Sequence, residues 1–131
     1  MIFGIGIDIV EIERIAASYA RFGERFARRI LGAREFERFE TRRARSSVRG
    51  LAFLATRFAA KEAVSKALGL GMRSPMRWQA VEVLNDPSGR PHVSVHSELG
   101  RFVERHKLRL HVSLTDERAT AAAYAIAEVI E

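Results

Sequence analysis

The sequence contains no cysteine, so the chain can form neither a disulfide framework nor a thiolate metal site. It also lacks any apolar run close to the ~20 residues that span a membrane. The amino-terminal stretch MIFGIGIDIVEIER has no basic segment ahead of an apolar one, as a secretory leader would have. Because nothing points to an oxidising compartment or a membrane, we expect a cytosolic protein.

Lysine is scarce as well. The chain has 22 basic residues, of which three are lysines and the others arginines, against 16 acidic residues. The resulting net charge of +6 favours an anionic partner, such as a nucleic acid, a phosphate-rich ligand or an acidic protein. Many arginines alternate with glutamates, as on a solvated helix face, so charge alone does not choose among these partners.

The pattern of apolar residues predicts a single domain over residues 1–131, with an α+β fold in which helices pack on a small antiparallel sheet. A chain of this length buries a core without disulfides or metals. The turn NDPSG predicts a hairpin, and Ser97 is the expected cap of the last helix. We predict strands within 4–12, 79–96 (the hairpin) and 108–130 (a pair separated by TDER), and helices within 11–23, 24–31, 33–46, 47–71 and 97–107.

The first strand, GIGIDIVEI at residues 4–12, carries a carboxylate beside two glycines. With the two-residue period of a strand, three isoleucines point to one side, and both glycines and the aspartate point to the other. We expect the isoleucine side to be the packing side and the glycine side to leave room for something bulky, either a ligand or another backbone. The alternative is a bulge-prone strand end with an exposed aspartate. The residues on the first side of the strand are Ile5, Ile7 and Ile9, and those on the second side are Gly4, Gly6 and Asp8.

A second stretch, RFAAKEAVSKALGLG at residues 57–71, places acidic and basic side chains on one helix. Glu62 and Lys66 are four residues apart and share a helix face, separated by about 6 Å along the axis. Arg57, Lys61 and Ser65 form a neighbouring row with the same spacing. Exposed Glu–Lys pairs are common on helices, so this stretch alone leaves open an ordinary surface ion pair.

Taken together, GIGIDIVEIERI and FAAKEAVSKALGLG resemble the two signature segments of the holo-acyl-carrier-protein synthases, the small phosphopantetheinyl transferases. The separation of the segments, the NDPSGRP turn and HVSLTDER match as well, so the resemblance covers nearly the whole chain. It implies transfer of the phosphopantetheine arm of coenzyme A to a serine of apo-acyl carrier protein, for fatty acid biosynthesis, with release of adenosine 3′,5′-bisphosphate. It also implies a homotrimer with active sites between subunits, and a magnesium site.

The resemblance implies that Asp8 and Glu62 hold Mg²⁺ and that Lys66 lies at the phosphates, which makes these three the candidate catalytic residues. Mg²⁺ prefers hard oxygen ligands, usually one or two carboxylates with waters and phosphate oxygens. Positioning and cationic charge would carry most of the catalysis, and either Glu62 or a metal-bound water could accept the serine proton. The candidate substrate-binding residues of the same stretch are Arg57, Lys61, Ser65, Gly69 and Gly71.

Other basic residues are candidates for binding the carrier protein and the 3′-phosphate of coenzyme A. Arg14 and Arg21 on the first helix, followed by Arg25, suit docking of an acidic carrier protein. The basic turn at residues 42–45 is a candidate for the 3′-phosphate of coenzyme A. Asp116 stands where many relatives carry histidine. An ionised carboxylate cannot donate to a phosphate, which puts a nucleotide contact by this loop in question.

Two other functions fit parts of the pattern. A small basic nucleic-acid-binding domain would interleave aromatic residues with arginines on an exposed surface, whereas the phenylalanines here fall on apolar helix stripes. A metal nuclease would place acid and lysine two apart on a strand, whereas Glu62 and Lys66 are four apart on a helix. We therefore expect no nucleic-acid partner. We interpret the four histidines as packing or surface residues: His92, His96, His106 and His111.

Overall fold

A computed structural model describes all residues from 1 to 131. The strands are β1 (Ile2–Glu11), β2 (Val81–Asn85), β3 (Pro91–Val95), β4 (Leu108–Asp116) and β5 (Thr120–Val129). The helices are α1 (Ile12–Phe22), α2 (Glu24–Ile30), α3 (Ala33–Arg45), α4 (Ser47–Leu68) and α5 (Ser97–Arg105), with a 3₁₀ turn at Trp78–Ala80. The prediction of an α+β fold with helices packed on antiparallel strands is confirmed.

The helix boundaries follow from local chemistry. Gly23 and Gly69 end α1 and α4 with φ angles of 63° and 75°, in the region that favours glycine. Ser46 caps α4, because its side chain accepts the backbone N–H of Arg49 at 3.3 Å. The expectation for Ser97 is wrong. It is the first residue of α5, and the extended backbone of a cap position lies one residue earlier.

The strands form two separate antiparallel sheets. The larger has the order β1–β5–β4, with Asp8 opposite Ala123 and Ile7 opposite Tyr124. The smaller sheet is the predicted hairpin of β2 and β3. In its turn, Asp86 accepts the backbone N–H groups of two later residues at 2.9 and 3.0 Å. The pairing of β1 with β5 places the last strand beside the GIGIDIVEI segment, and β4 lies on the far side of β5.

The central helix α4 packs against the three-stranded sheet and is buried on most of its sides. The hydrophobic core is a single cluster of 27 buried residues that includes Ala59, Ala63 and Ala67 of this helix. Small side chains on both surfaces let the helix backbone approach the strands closely. The small residues of β5 in this contact are Ala121, Ala123, Ala125 and Ala127.

No helix of the chain combines the length and apolarity needed to cross a membrane.

β1 turns the opposite side to the core from the one expected. Ile5, Ile7 and Ile9 are 58, 56 and 66% exposed. The glycine side lies against α4, where a Cβ on Gly6 would overlap the carbonyl oxygen of Ala63. The expectation that the isoleucine side of this strand packs within the chain is therefore wrong, and the glycine side is not open. Of the two expected neighbours of the glycines, a ligand or another backbone, the backbone of α4 is the one found there.

Candidate active site

Asp8, Glu62 and Lys66 lie together where β1 passes α4. Lys66 donates from Nζ to Asp8 Oδ1 at 3.2 Å and to the backbone carbonyl of Ile7 at 2.9 Å. The absence of a side chain at Gly6 permits this approach, since a Cβ there would stand 2.9 Å from Lys66 Cβ. The lysine side chain is 51% exposed and that of Asp8 is 17% exposed. The Asp8 carboxylate is therefore mostly buried between β1 and α4, whereas the Lys66 side chain is open to solvent.

Glu62 projects from α4 one turn before Lys66. Partial burial raises the pKa of the Glu62 carboxyl, the nearby Asp8 carboxylate raises it further, and Lys66 opposes the shift. The site therefore holds two carboxylates against one lysine, with an excess of negative charge. No third His, Cys, Asp or Glu joins them in a cluster that could hold a metal ion. The possible metal ligands of this site are the carboxylate oxygens of Asp8 on β1 and Glu62 on α4.

Arg57 is enclosed in the fold, where it anchors the hairpin. Its Nε donates to the backbone carbonyl of Val83 at 3.0 Å, and Nη2 donates to Asn85 Oδ1 at 2.6 Å. The guanidinium also lies 4.1 Å from the ring centre of Phe53. Burial lowers the pKa of Arg57 to about 10. In this structure the side chain of Arg57 attaches β2 to α4, and its assignment to a substrate phosphate stays a prediction.

Lys61 and Ser65 are also turned to internal partners. Lys61 is fully buried and its Nζ is 2.6 Å from Glu35 Oε1. Ser65 is 1% exposed, and its hydroxyl donates to the backbone carbonyl of Glu62 at 2.7 Å. Both side chains are buried against internal partners in this structure, and their assignment to substrate binding stays a prediction. Because α4 is enclosed on most sides, the polar row of Arg57, Lys61 and Ser65 is buried together with the apolar side chains of the helix. The hydrogen bonds of these three side chains are made within the chain.

The glycines after α4 close the end of the helix. The N–H of Gly69 donates to the carbonyl of Lys66 at 3.1 Å, and that of Gly71 donates to the carbonyl of Ser65 at 3.3 Å. Both glycines have positive φ angles, of 75° and 63°. Their N–H groups satisfy the last carbonyls of the helix. The expectation that backbone donors of this turn meet coenzyme A phosphates stays a prediction.

The basic residues predicted to meet substrate lie at the surface. Arg14 and Arg21 are exposed on α1 and, seven residues apart, they share one side of that helix. Arg25 is exposed at the start of α2. At the end of α3, Arg42 lies over the ring of Phe53 at 5.1 Å. The roles of these arginines in docking and in binding the 3′-phosphate stay predictions.

Asp116 ends β4 and is exposed, opposite Ala121 of β5. A nucleotide contact at this position stays untested. One ring nitrogen of each histidine has a partner within the chain at 2.9–3.0 Å: His92 with Asp86, His96 with Glu82, His106 with the carbonyl of Phe102, and His111 with Glu128.

Residues 4–127 match the model of the 4′-phosphopantetheinyl transferase superfamily. The chain therefore belongs to that superfamily. Among curated relatives, the holo-[acyl-carrier-protein] synthase of Methylibium petroleiphilum is 53% identical over 131 residues, which cover 100% of this chain and 99% of the relative. The enzyme of the same name from Bordetella pertussis is 54% identical and covers 97% of this chain and 83% of its own.

Solved structures agree with these relatives. The holo-[acyl-carrier-protein] synthase from Neisseria meningitidis superposes with a TM-score of 0.89 at 36% identity and covers 98% of this chain and 99% of its own. The synthase from Bacillus anthracis in complex with CoA (3′,5′-ADP) has a TM-score of 0.82 at 32% identity, with 99% of both chains covered. The resemblance inferred from the two signature segments is confirmed, and none of these relatives supports the nucleic-acid-binding alternative.

Proposed function

We propose that residues 1–131 act as a single cytoplasmic domain that transfers the 4′-phosphopantetheine group of coenzyme A to a serine of apo-acyl carrier protein, for fatty acid biosynthesis. The products are holo-acyl carrier protein and adenosine 3′,5′-bisphosphate. The grouping of Asp8, Glu62 and Lys66 carries the proposal, in a chain similar along its whole length to holo-[acyl-carrier-protein] synthases. The relative crystallised with CoA (3′,5′-ADP) supports coenzyme A as the donor.

Asp8 and Glu62 suit a magnesium ion. Mg²⁺ takes hard oxygen ligands, commonly one or two carboxylates, with water and phosphate oxygens completing its shell. The pKa of Glu62, raised by burial and then by Asp8, indicates that the second negative charge is unfavourable here without a cation. When bound, Mg²⁺ would neutralise charge on the pyrophosphate oxygens of coenzyme A.

The side chains of this site match the charges that change during the transfer. The serine oxygen forms a bond to the β-phosphorus of coenzyme A, and the bond from that phosphorus to the bridging oxygen of the α-phosphate breaks. Negative charge then grows on the leaving adenosine bisphosphate, and Lys66 is the cation that the site provides for it. The serine proton needs an acceptor, and the carboxylate of Glu62 or a water on the metal would serve as that base.

The reaction is tested directly by incubating the purified protein with coenzyme A, Mg²⁺ and an apo-carrier protein, followed by intact-mass measurement of the carrier. We expect the mass of the carrier to rise by one phosphopantetheine group. A carrier with its acceptor serine replaced by alanine is the control and should gain nothing. No mass gain on any of several apo-carriers would contradict the proposal.

Arg14 and Arg21 are proposed to dock the acidic carrier. Because they are exposed on one side of α1, each should contribute long-range attraction rather than chemistry. We expect Arg14→Glu and Arg21→Glu each to raise KM for the carrier roughly tenfold, which corresponds to about 1.4 kcal/mol. The kcat and the KM for coenzyme A should stay unchanged. Steady-state kinetics at low and high salt measure this, and salt should reduce the effect.

The matched control for this charge reversal is Arg105→Glu, which changes an exposed arginine at the end of α5 by the same charge. It should leave KM for the carrier near the wild-type value. A fall confined to kcat in the α1 variants, or an equal rise in KM for the control, would contradict docking at α1.

A homotrimer with active sites between subunits is proposed for the same chain. The outer side of the three-stranded sheet supports it, because Ile5, Ile7 and Ile9 are exposed next to Tyr124 and Ile126 of β5. An apolar surface of this kind is typical of a site where another chain binds. β1 carries these isoleucines on one side and Asp8 on the other. A subunit seated on the isoleucines would therefore adjoin the candidate active site.

Ile7→Glu should prevent this assembly, since it places a charge at the centre of the apolar surface. We expect light scattering coupled to size exclusion to give a trimer for the wild type and a monomer for Ile7→Glu. Val48→Glu is the control, because Val48 is another apolar residue that is 74% exposed at the start of α4 and belongs to no strand. A monomeric wild type, or an Ile7→Glu protein that stays trimeric, would contradict the proposal.

A further inference from the structure

Lys61 is held by three segments of the chain at once. Its Nζ donates to the carbonyl of Ile30 at 2.6 Å, to Glu35 Oε1 at 2.6 Å and to the carbonyl of Trp78 at 2.9 Å. These acceptors belong to the end of α2, the first turn of α3 and the 3₁₀ turn. An ammonium group has three protons, so every donor of Lys61 is used. The side chain is completely buried and ties α4 to three neighbours.

Glu35 extends the same network. Its Oε1 also accepts the backbone N–H of Gly32 at 2.9 Å, and its Oε2 accepts the N–H of Val83 at 2.7 Å. The carboxylate therefore joins the beginning of α3 to β2 while it pairs with Lys61. A buried pair in which every oxygen and proton has a partner has one preferred geometry.

The network lies on the side of α4 away from β1. At about 100° per residue, Glu62 and Lys66 lie roughly 100° and 140° around the helix from Lys61. Ala63, whose carbonyl oxygen meets Gly6, lies about 200° around, nearly opposite Lys61. The turn that carries the candidate catalytic side chains is consequently held on one side by the glycine contact and on the other by Lys61.

We propose that Lys61 is a positioning residue, whose pair with Glu35 fixes the rotation of α4 so that Glu62 and Lys66 face Asp8. The proposal rests on the proposed function, because it concerns the geometry of the carboxylates that would hold the metal. Without the pair, this turn of α4 would keep its apolar packing and the glycine contact but lose its polar attachment on the side away from β1. The carboxylate of Glu62 would then occupy a range of positions relative to Asp8, and a cation between them would bind less tightly.

The test is a Mn²⁺ titration of the substrate-free protein, followed by electron paramagnetic resonance, together with the melting temperature. Lys61→Met removes the ammonium group and keeps the length of the side chain. We expect it to weaken Mn²⁺ binding about tenfold or more, as supporting residues of metal sites do. Glu35→Gln should act in the same direction, and it carries the test if Lys61→Met does not fold.

Leu99→Ala is the control for general loosening, because Leu99 is fully buried on α5 and belongs to neither the network nor the site. It should lower the melting temperature and leave Mn²⁺ affinity unchanged. Wild-type affinity in folded Lys61→Met or Glu35→Gln would overturn the positioning role, as would an equal loss of affinity in Leu99→Ala. A wild-type protein that binds no Mn²⁺ would instead overturn the proposed metal site, and the positioning role with it.

Discussion

Glu62→Gln and Asp8→Asn should each lower the rate of phosphopantetheine transfer by roughly 10²–10³-fold or more, as removal of a charged group that stabilises a transition state does. Either change removes one of the two carboxylates that the site offers to a cation. The amide keeps the size of the side chain, so the packing of β1 against α4 should persist. The mass-shift assay, run as a time course with saturating coenzyme A and carrier, measures the rate.

Stability should behave differently from activity in Glu62→Gln. The folded state raises the pKa of Glu62, so the stability that the protonated carboxyl contributes is present at acidic pH and is lost as pH rises through that raised pKa. Glutamine has no charge to acquire and escapes this loss. We expect the variant to melt at the wild-type temperature or above it at pH 7, with the advantage shrinking toward pH 4.

Glu37→Gln is the matched control, because Glu37 is exposed on α3 and forms no ion pair within the chain. It should leave transfer and the pH dependence of melting unchanged. Near-normal transfer by Glu62→Gln or Asp8→Asn would show that the site is misassigned. A lower melting temperature of Glu62→Gln at pH 7 would show that the Glu62 charge stabilises the fold.

The order of the helices and strands could be predicted because it depends on local signals. Apolar periodicity and the glycines after α1 and α4 set the boundaries, and four-residue spacing placed Glu62 and Lys66 on one face. The partnership of these two residues with Asp8 required the resemblance, because a strand and a helix that are distant in sequence carry no local sign of their contact.

The inner side of β1 could not be predicted from its own alternation. A period of two identifies two sides and does not say which one is buried. The size of the side chains on β5 held the missing signal, since Ala121, Ala123, Ala125 and Ala127 alternate along it. A surface of small residues is what a closely packed helix requires, and the glycines of β1 belong to that surface.

The buried role of the polar row on α4 was also beyond local reasoning. Arg57 and Lys61 have the spacing of an exposed face, and basic side chains next to a candidate phosphate site favour a binding role. Their partners are Val83, Asn85 and Glu35, which are 26 or 28 positions away in sequence. Only the folded chain shows that these partners satisfy the two cations and enclose them.

Gly6→Ala should destabilise the protein by about 1–3 kcal/mol, which is the usual cost of overpacking a core. Glycine in a strand normally costs about 0.5–1 kcal/mol relative to alanine, so strand propensity alone predicts the opposite sign. The added Cβ would overlap the carbonyl oxygen of Ala63 and stand 2.9 Å from the backbone nitrogen of Ala67. These are backbone atoms of α4 and cannot turn aside, so the helix must move away from β1. Thermal and denaturant unfolding measure the loss.

Transfer activity should fall together with stability, even below the melting temperature. A shift of α4 away from β1 carries Glu62 and Lys66 away from Asp8 and breaks the hydrogen bond from Lys66 to the carbonyl of Ile7. Gly100→Ala is the matched control, because a Cβ at that position of α5 would meet the carbonyl oxygen of Val95 at an ordinary 3.5 Å. It should stabilise the protein by about 0.5–1 kcal/mol and leave transfer unchanged. A Gly6→Ala protein that melts no earlier than the wild type would contradict close packing of α4 on this strand. If that protein also lost transfer, the glycines would be clearing space for a substrate after all.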